Sequence, residues 1–116
     1  MRHPIREREL TRLILDYLRW VPDSSWKKIR GSMGMKNVLD IIGCWEGKYV
    51  ELEVKTERGR LTPGQKARLE EIRRAGGIAE VVRSLEDVVR LIPNPRAEVR
   101  LCTREEGRKN RIFQVS

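Results

Sequence analysis

The stretch Leu39–Gln65, LDIIGCWEGKYVELEVKTERGRLTPGQ, constrains the chain most, because it sets acids within apolar, β-branched runs. Val38–Gly43 and Lys48–Val54 read as two strands, with Cys44-Trp45-Glu46-Gly47 as the turn between them. Side chains alternate along a strand. Glu51, Glu53 and Lys55 therefore share one face, and Val50, Leu52 and Val54 take the other. A four-residue turn pairs Gly43 with Lys48, which sets Asp40 opposite Glu51 and one diagonal step from Glu53. Asp40, Glu51, Glu53 and Lys55 then converge on one patch, and a one-residue slip would turn Asp40 to the wrong face.

Carboxylates gathered in this way repel, and burying them unpaired is unfavourable by several kcal/mol. A divalent cation relieves the conflict, since Mg²⁺ takes oxygen ligands, commonly one or two carboxylates with water and substrate phosphate. A lysine beside the cluster is suited to orienting a water or neutralising charge that develops on a phosphate. The pattern suits metal-assisted hydrolysis of a phosphodiester. An isolated Asp40 would instead be expected to pair with an arginine. Glu51 shares the face but falls outside the core set, either paired with a basic side chain or at the sheet rim.

Asp40 followed by Glu53-Val54-Lys55 resembles the D…(D/E)-x-K core of the PD-(D/E)XK nucleases. Gly59-Arg60-Leu61-Thr62-Pro63-Gly64-Gln65 and the later AGGIAEVVRSLEDV resemble the VRR-NUC branch in particular, and the likeness runs from about Ile5 to Ile92. It implies an α/β, restriction-endonuclease-like core, a mixed central β-sheet flanked by helices. It also implies Mg²⁺ or Mn²⁺ held by Asp40, Glu53 and the Val54 carbonyl, with Glu7 completing the site. Lys55 positions the attacking water and Gln65 assists. Likeness to stand-alone VRR-NUC proteins, typical of phages and other mobile elements, implies a homodimer cutting branched DNA such as Holliday junctions. Asn37-Val38-Leu39-Asp40 departs from the family's more usual Gly-x-Pro-Asp.

Upstream, Pro4 opens a helix to about Arg19, with Leu10, Leu13, Ile14, Tyr17 and Leu18 as its apolar stripe. Glu7 lies roughly 50° from the stripe's centre and Glu9 about twice as far, so Glu7 is the acid aimed toward the core. Its plainer reading is a favourable carboxylate near a helix N-terminus. Val21–Asn37 has proline, serines, glycines and no periodicity, and reads as a loop. Within it, Lys27, Lys28, Arg30 and Lys36 are candidate phosphate contacts, or merely a charged surface; Trp26 is expected to pack.

Downstream, Thr62-Pro63-Gly64-Gln65 is a capping box that starts a helix through Ala75, whose inner face carries Gln65, Leu69 and Ile72. Capping gives Gln65 a structural task, compatible with the site role that the resemblance implies. Gly76-Gly77 ends the helix, Ile78–Arg83 reads as an interior strand, and Ser84 caps a helix over Leu85–Ile92. Residues 1–95 form the nuclease-like domain. Residues 96–116 are a C-terminal extension that either forms a hairpin, AEVRLC and RIFQVS about a polar turn, or remains mobile.

The net charge of +8 favours a polyanionic partner, nucleic acid being the usual one. No apolar run approaches the ~18–20 residues of a membrane span, and the N-terminus lacks a signal peptide's apolar segment, so an intracellular protein is expected, including a viral one acting in its host. His3 is the sole histidine, and Cys44 and Cys102 stand apart, which argues against zinc and for free thiols. The leading expectation is a metal-dependent DNA endonuclease. The alternative is a non-catalytic, structure-selective nucleic-acid-binding module on the same fold. A small basic RNA- or ribosome-associated protein would account for the charge alone.

Overall fold

The computed structural model describes residues 5–29 and 38–94, and the backbone of residues 97–100 and 111–114. Its elements in order are α1 (Glu7–Leu18), β1 (Ser24–Lys28), β2 (Ile41–Trp45), β3 (Lys48–Val54), α2 (Pro63–Arg74), β4 (Ile78–Val82), α3 (Leu85–Leu91), β5 (Ala97–Arg100) and β6 (Arg111–Gln114). Strands β1 to β4 form a four-stranded sheet in the order β1-β2-β3-β4. The first three are antiparallel, and β4 returns parallel to β3 after α2. β5 and β6 pair antiparallel in a separate two-stranded sheet. No helix among the described residues is long and apolar enough to cross a membrane.

Alternation along β3 organises the interior. Val50, Leu52 and Val54 are fully buried against α1 and α3, in a cluster with Leu10, Ile14, Tyr17, Val82 and Val88. Each such aliphatic side chain contributes roughly 1.5–3 kcal/mol when removed from water, which is enough to anchor β3 while its other face carries acids. On that other face α2 lays Leu69 and Ile72 over Leu39 and Ala79. Thr62 starts α2 through the expected capping box, with its side chain accepting from the Gln65 amide. Gly77, after the helix, lies so close to Ile72 and the Tyr49 carbonyl that a Cβ there would come within 2.7 Å of the Ile72 side chain. The Tyr17 hydroxyl donates to the Ile92 carbonyl at 2.7 Å and joins α1 to the end of α3.

Three expectations are corrected. The span read as a loop over Val21–Asn37 contains β1, which pairs with β2 from Ser24↔Trp45 to Lys28↔Ile41. Ser-Ser-Trp-Lys-Lys has no apolar alternation, and this edge strand is held by its backbone ladder. The hairpin turn is Glu46-Gly47, both at positive φ (51° and 80°), and not the four residues Cys44–Gly47. A two-residue turn with both φ values positive matches strand twist, and it extends β2 to Trp45. Finally, β4 is an edge strand of the sheet; its apolar character comes from helices on both faces.

Candidate functional site

The shorter turn shifts the β2–β3 register by an even number of residues. Ile41 pairs with Leu52 and Ile42 with Glu51. One step further, Asp40 lies opposite Glu53 instead of Glu51, on the face that the longer turn also implied. Parity survived the error in register, so the acids still meet.

Glu53 is 3% exposed and stands at the centre of the cluster. Its Oε2 lies 3.3 Å from Lys55 Nζ and accepts a hydrogen bond from Gln65 Nε2 at 3.1 Å. Asp40 is half-buried, and its Oδ2 accepts from the Val54 amide at 2.9 Å. Burial raises the Glu53 pKa first, the neighbouring Asp40 charge raises it further, and Lys55 offsets only part of this. The result is a carboxyl pushed up to about 7 from 4.5. Gln65 performs both tasks open to it: Oε1 accepts from the Thr62 amide at 2.9 Å while Nε2 reaches Glu53. Helix capping thus fixes the amide group that contacts the acid.

Lys55 leaves β3 into a bend closed from Gly59 N to the Thr56 carbonyl at 3.1 Å. Arg83 Nη1 donates to the carbonyls of Thr56 and Gly59, each at 2.7 Å. A Cβ at Gly59 would come within 3.1 Å of Lys55 Cδ, so this glycine lies against the lysine stem.

Glu51 does not join the cluster. It is fully buried and paired with Arg68 of α2, with further hydrogen bonds from the Tyr49 hydroxyl and the Leu39 amide. Burial alone would raise its pKa, but those donors more than reverse the effect and hold it below its usual value. Arg68 and Tyr49 were missed in the sequence. The available signal was that Arg68 falls three residues after Gln65, on the same face of α2.

Glu7 does not point into the core as expected. It is exposed in the first turn of α1, where its carbonyl accepts from Thr11 Oγ1 at 2.8 Å. It shares the angle of the buried stripe but precedes Leu10, the first residue that the core covers. Moreover, α1 packs on the sheet face opposite Glu53. Lys27 and Lys28 are exposed on β1 and point to opposite faces, while Arg30 and Lys36 lie outside the described residues. Trp26 packs as expected: it borders the α1 cluster, donates from Nε1 to Ser24 Oγ at 2.8 Å, and lies over Gly43, where a Cβ would meet the ring at 2.4 Å. Cys44 is a free, exposed thiol.

Among the described residues no three His, Cys, Asp or Glu side chains gather as a metal-ligand set. Asp40 and Glu53 nevertheless offer two adjacent carboxylates whose mutual repulsion raises the Glu53 pKa. All-oxygen donors in such a pair fit a hard cation that completes its shell with water.

A solved structure described as a VRR_NUC domain has this fold, with a TM-score of 0.63 and 23% identity over 74% of this chain and 92% of the other. No family model and no curated protein matches the sequence.

Proposed function

We propose that the chain is a divalent-metal-dependent nuclease that hydrolyses phosphodiester bonds in DNA. The observation that carries this reading is Glu53 Oε2, shared by Lys55 and Gln65 and placed beside Asp40, in the fold of a VRR_NUC domain. A structural glutamate could satisfy its charge with Lys55 alone. Adding Asp40 makes a second negative charge beside Glu53 unfavourable unless a proton or a cation offsets it. At neutral pH a divalent cation does so with both carboxylates ionised.

Asp40 and Glu53, with the Val54 carbonyl, would hold Mg²⁺ or Mn²⁺. When bound, such an ion polarises a phosphoryl oxygen and makes a coordinated water more acidic. The remaining work falls to the chain itself. The Val54 amide fixes the Asp40 carboxylate through Oδ2. Gln65, locked by the capping box, orients Glu53. The Lys55 ammonium, at the rim of the cluster, orients the attacking water and offsets charge growing on the scissile phosphate. Glu7, exposed on the other layer, is left out of this ligand set. Branched DNA as substrate and a homodimeric assembly extend the same reading; two-fold symmetry would set two such sites against opposed strands.

The test is cleavage of end-labelled four-way junction, flap and linear duplex with Mg²⁺, Mn²⁺ or EDTA. Symmetric, metal-dependent junction cuts that disappear in Lys55→Ala, with DNA affinity held within a few-fold, are expected. Undiminished turnover in Lys55→Ala would sink the assignment. Cuts confined to flap or linear DNA would keep the chemistry and discard the junction preference, and tight binding without any cutting would favour a non-catalytic module.

A further inference from the structure

We infer that Glu51 and Arg68 are a positioning pair that sets Asp40 and Gln65 about Glu53. The inference rests on the nuclease reading only where it concerns metal.

Neutralising a buried carboxylate requires Arg68 and no more. Glu51 does more than that. Its Oε1 accepts from Arg68 Nε at 3.2 Å and also from the Leu39 amide at 3.1 Å. Its Oε2 takes Arg68 Nη2 and the Tyr49 hydroxyl. Arg68 is fixed in turn by Glu71 Oε1, which takes its Nη1 at 2.8 Å.

The Leu39 amide matters because of where the ladder stops. The β2–β3 pairing ends at Ile41↔Leu52. Residues 39 and 40 are tied to β3 by side chains instead: Glu51 holds the Leu39 amide, and Asp40 Oδ2 takes the Val54 amide at 2.9 Å. On its other side, the Asp40 carbonyl accepts from the Ile29 amide at 2.7 Å. Glu51 therefore takes over from the ladder one residue before Asp40. At its far end the pair grips α2 through Arg68, three residues from Gln65, which contacts Glu53. One ion pair, buried at Glu51 and half-buried at Arg68, thus sets the two arms that reach Glu53, the Asp40 segment and the first turns of α2.

The experiment uses the full chain as wild type, Glu51→Gln, Arg68→Lys and Tyr49→Phe. Amide hydrogen exchange is read in chelator at Leu39, Val54 and Leu52, and Mn²⁺ binding is read by calorimetry. Glu51→Gln and Arg68→Lys are expected to lose roughly tenfold or more of the protection at Leu39 and Val54, with Leu52 retained, as loss of a charge-assisted hydrogen bond implies. Mn²⁺ affinity is expected to fall about 10–100-fold, the usual effect of disturbing groups that orient metal ligands. Tyr49→Phe leaves the Leu39 and Arg68 bonds in place and stays near wild type. If Glu51→Gln does not fold, Arg68→Lys, which keeps the charge, decides the matter. Leu39 and Val54 losing protection only in step with Leu52 would overturn the inference. Wild type that binds no Mn²⁺ would overturn the metal reading instead, and the exchange data would still judge the pair.

Discussion

Glu53 carries two donors on one oxygen, yet its pKa rises to about 7, because burial and the neighbouring Asp40 together outweigh Lys55. The consequence for stability has a definite sign. In the metal-free protein the folded pKa lies above the usual 4.5. The native state therefore holds a proton that the unfolded chain has released. Stability from this group is fully present below about 4.5 and is lost as pH rises through about 7. Thermal melts in chelator from pH 5 to 8 should show wild type losing stability relative to Glu53→Gln across that window. Parallel curves would show that Glu53 is an ordinary ionised carboxylate. A cation at Asp40 and Glu53 competes with the same proton, so Mn²⁺ affinity should climb through the same range.

At the scale of elements, α2 is where capping and site geometry coincide. Thr62 Oγ1 accepts from the Gln65 amide at 3.1 Å, and the same glutamine reaches Glu53. Thr62→Ala should destabilise the protein by about 1 kcal/mol, the usual effect of losing an N-cap. Cleavage should fall by more than that loss explains, because a frayed first turn frees Gln65. Thr62→Ser should restore both, as melts and single-turnover rates would check; Thr62→Ala with full activity would separate the cap from the site. This element was legible because T-P-G-Q carries its mechanism locally. The alternation of Glu51, Glu53 and Lys55 was legible for the same reason. What the sequence hid depends on partners distant in the chain. β1 is held by hydrogen bonds to β2 rather than by its own pattern. Arg68 becomes meaningful only when β3 brings Glu51 beneath it. Glu7 has the right helical angle, and its exposure follows from where the core ends, which periodicity does not encode. The turn lacked the usual Asn-Gly or Asp-Gly signal, yet an even register shift cannot move a side chain across the sheet.

Across the whole molecule a net charge of +8 surrounds a cluster of acids, so the distribution of charge matters more than its total. Helix α2 covers the β4 side of one sheet face, where its apolar residues meet Ala79 and Val81. β1 extends that face on the other side of Asp40 and Glu53. Lys27 pairs with Ile42, which pairs with Glu51, so Lys27 shares the face of the acids. Lys28 pairs with Ile41, opposite Leu52, and belongs to the face packed by α1. Both lysines are exposed and equal in charge, and sequence alone treats them alike. If the chain cuts DNA as proposed, a strand reaching Asp40 and Glu53 along this sheet face passes Lys27. Each phosphate contact adds about one to the dependence of log K on log salt. Lys27→Ala should therefore weaken binding of a short duplex and reduce the magnitude of that slope by about one, while Lys28→Ala leaves the slope unchanged. Fluorescence anisotropy over a salt series, with EDTA present to prevent cutting, measures both. Equal slopes for the two variants would mean that general charge, not this face, gathers the DNA. A slope changed only by Lys28→Ala would put the DNA on the α1 side, away from Glu53, and would count against the active site itself.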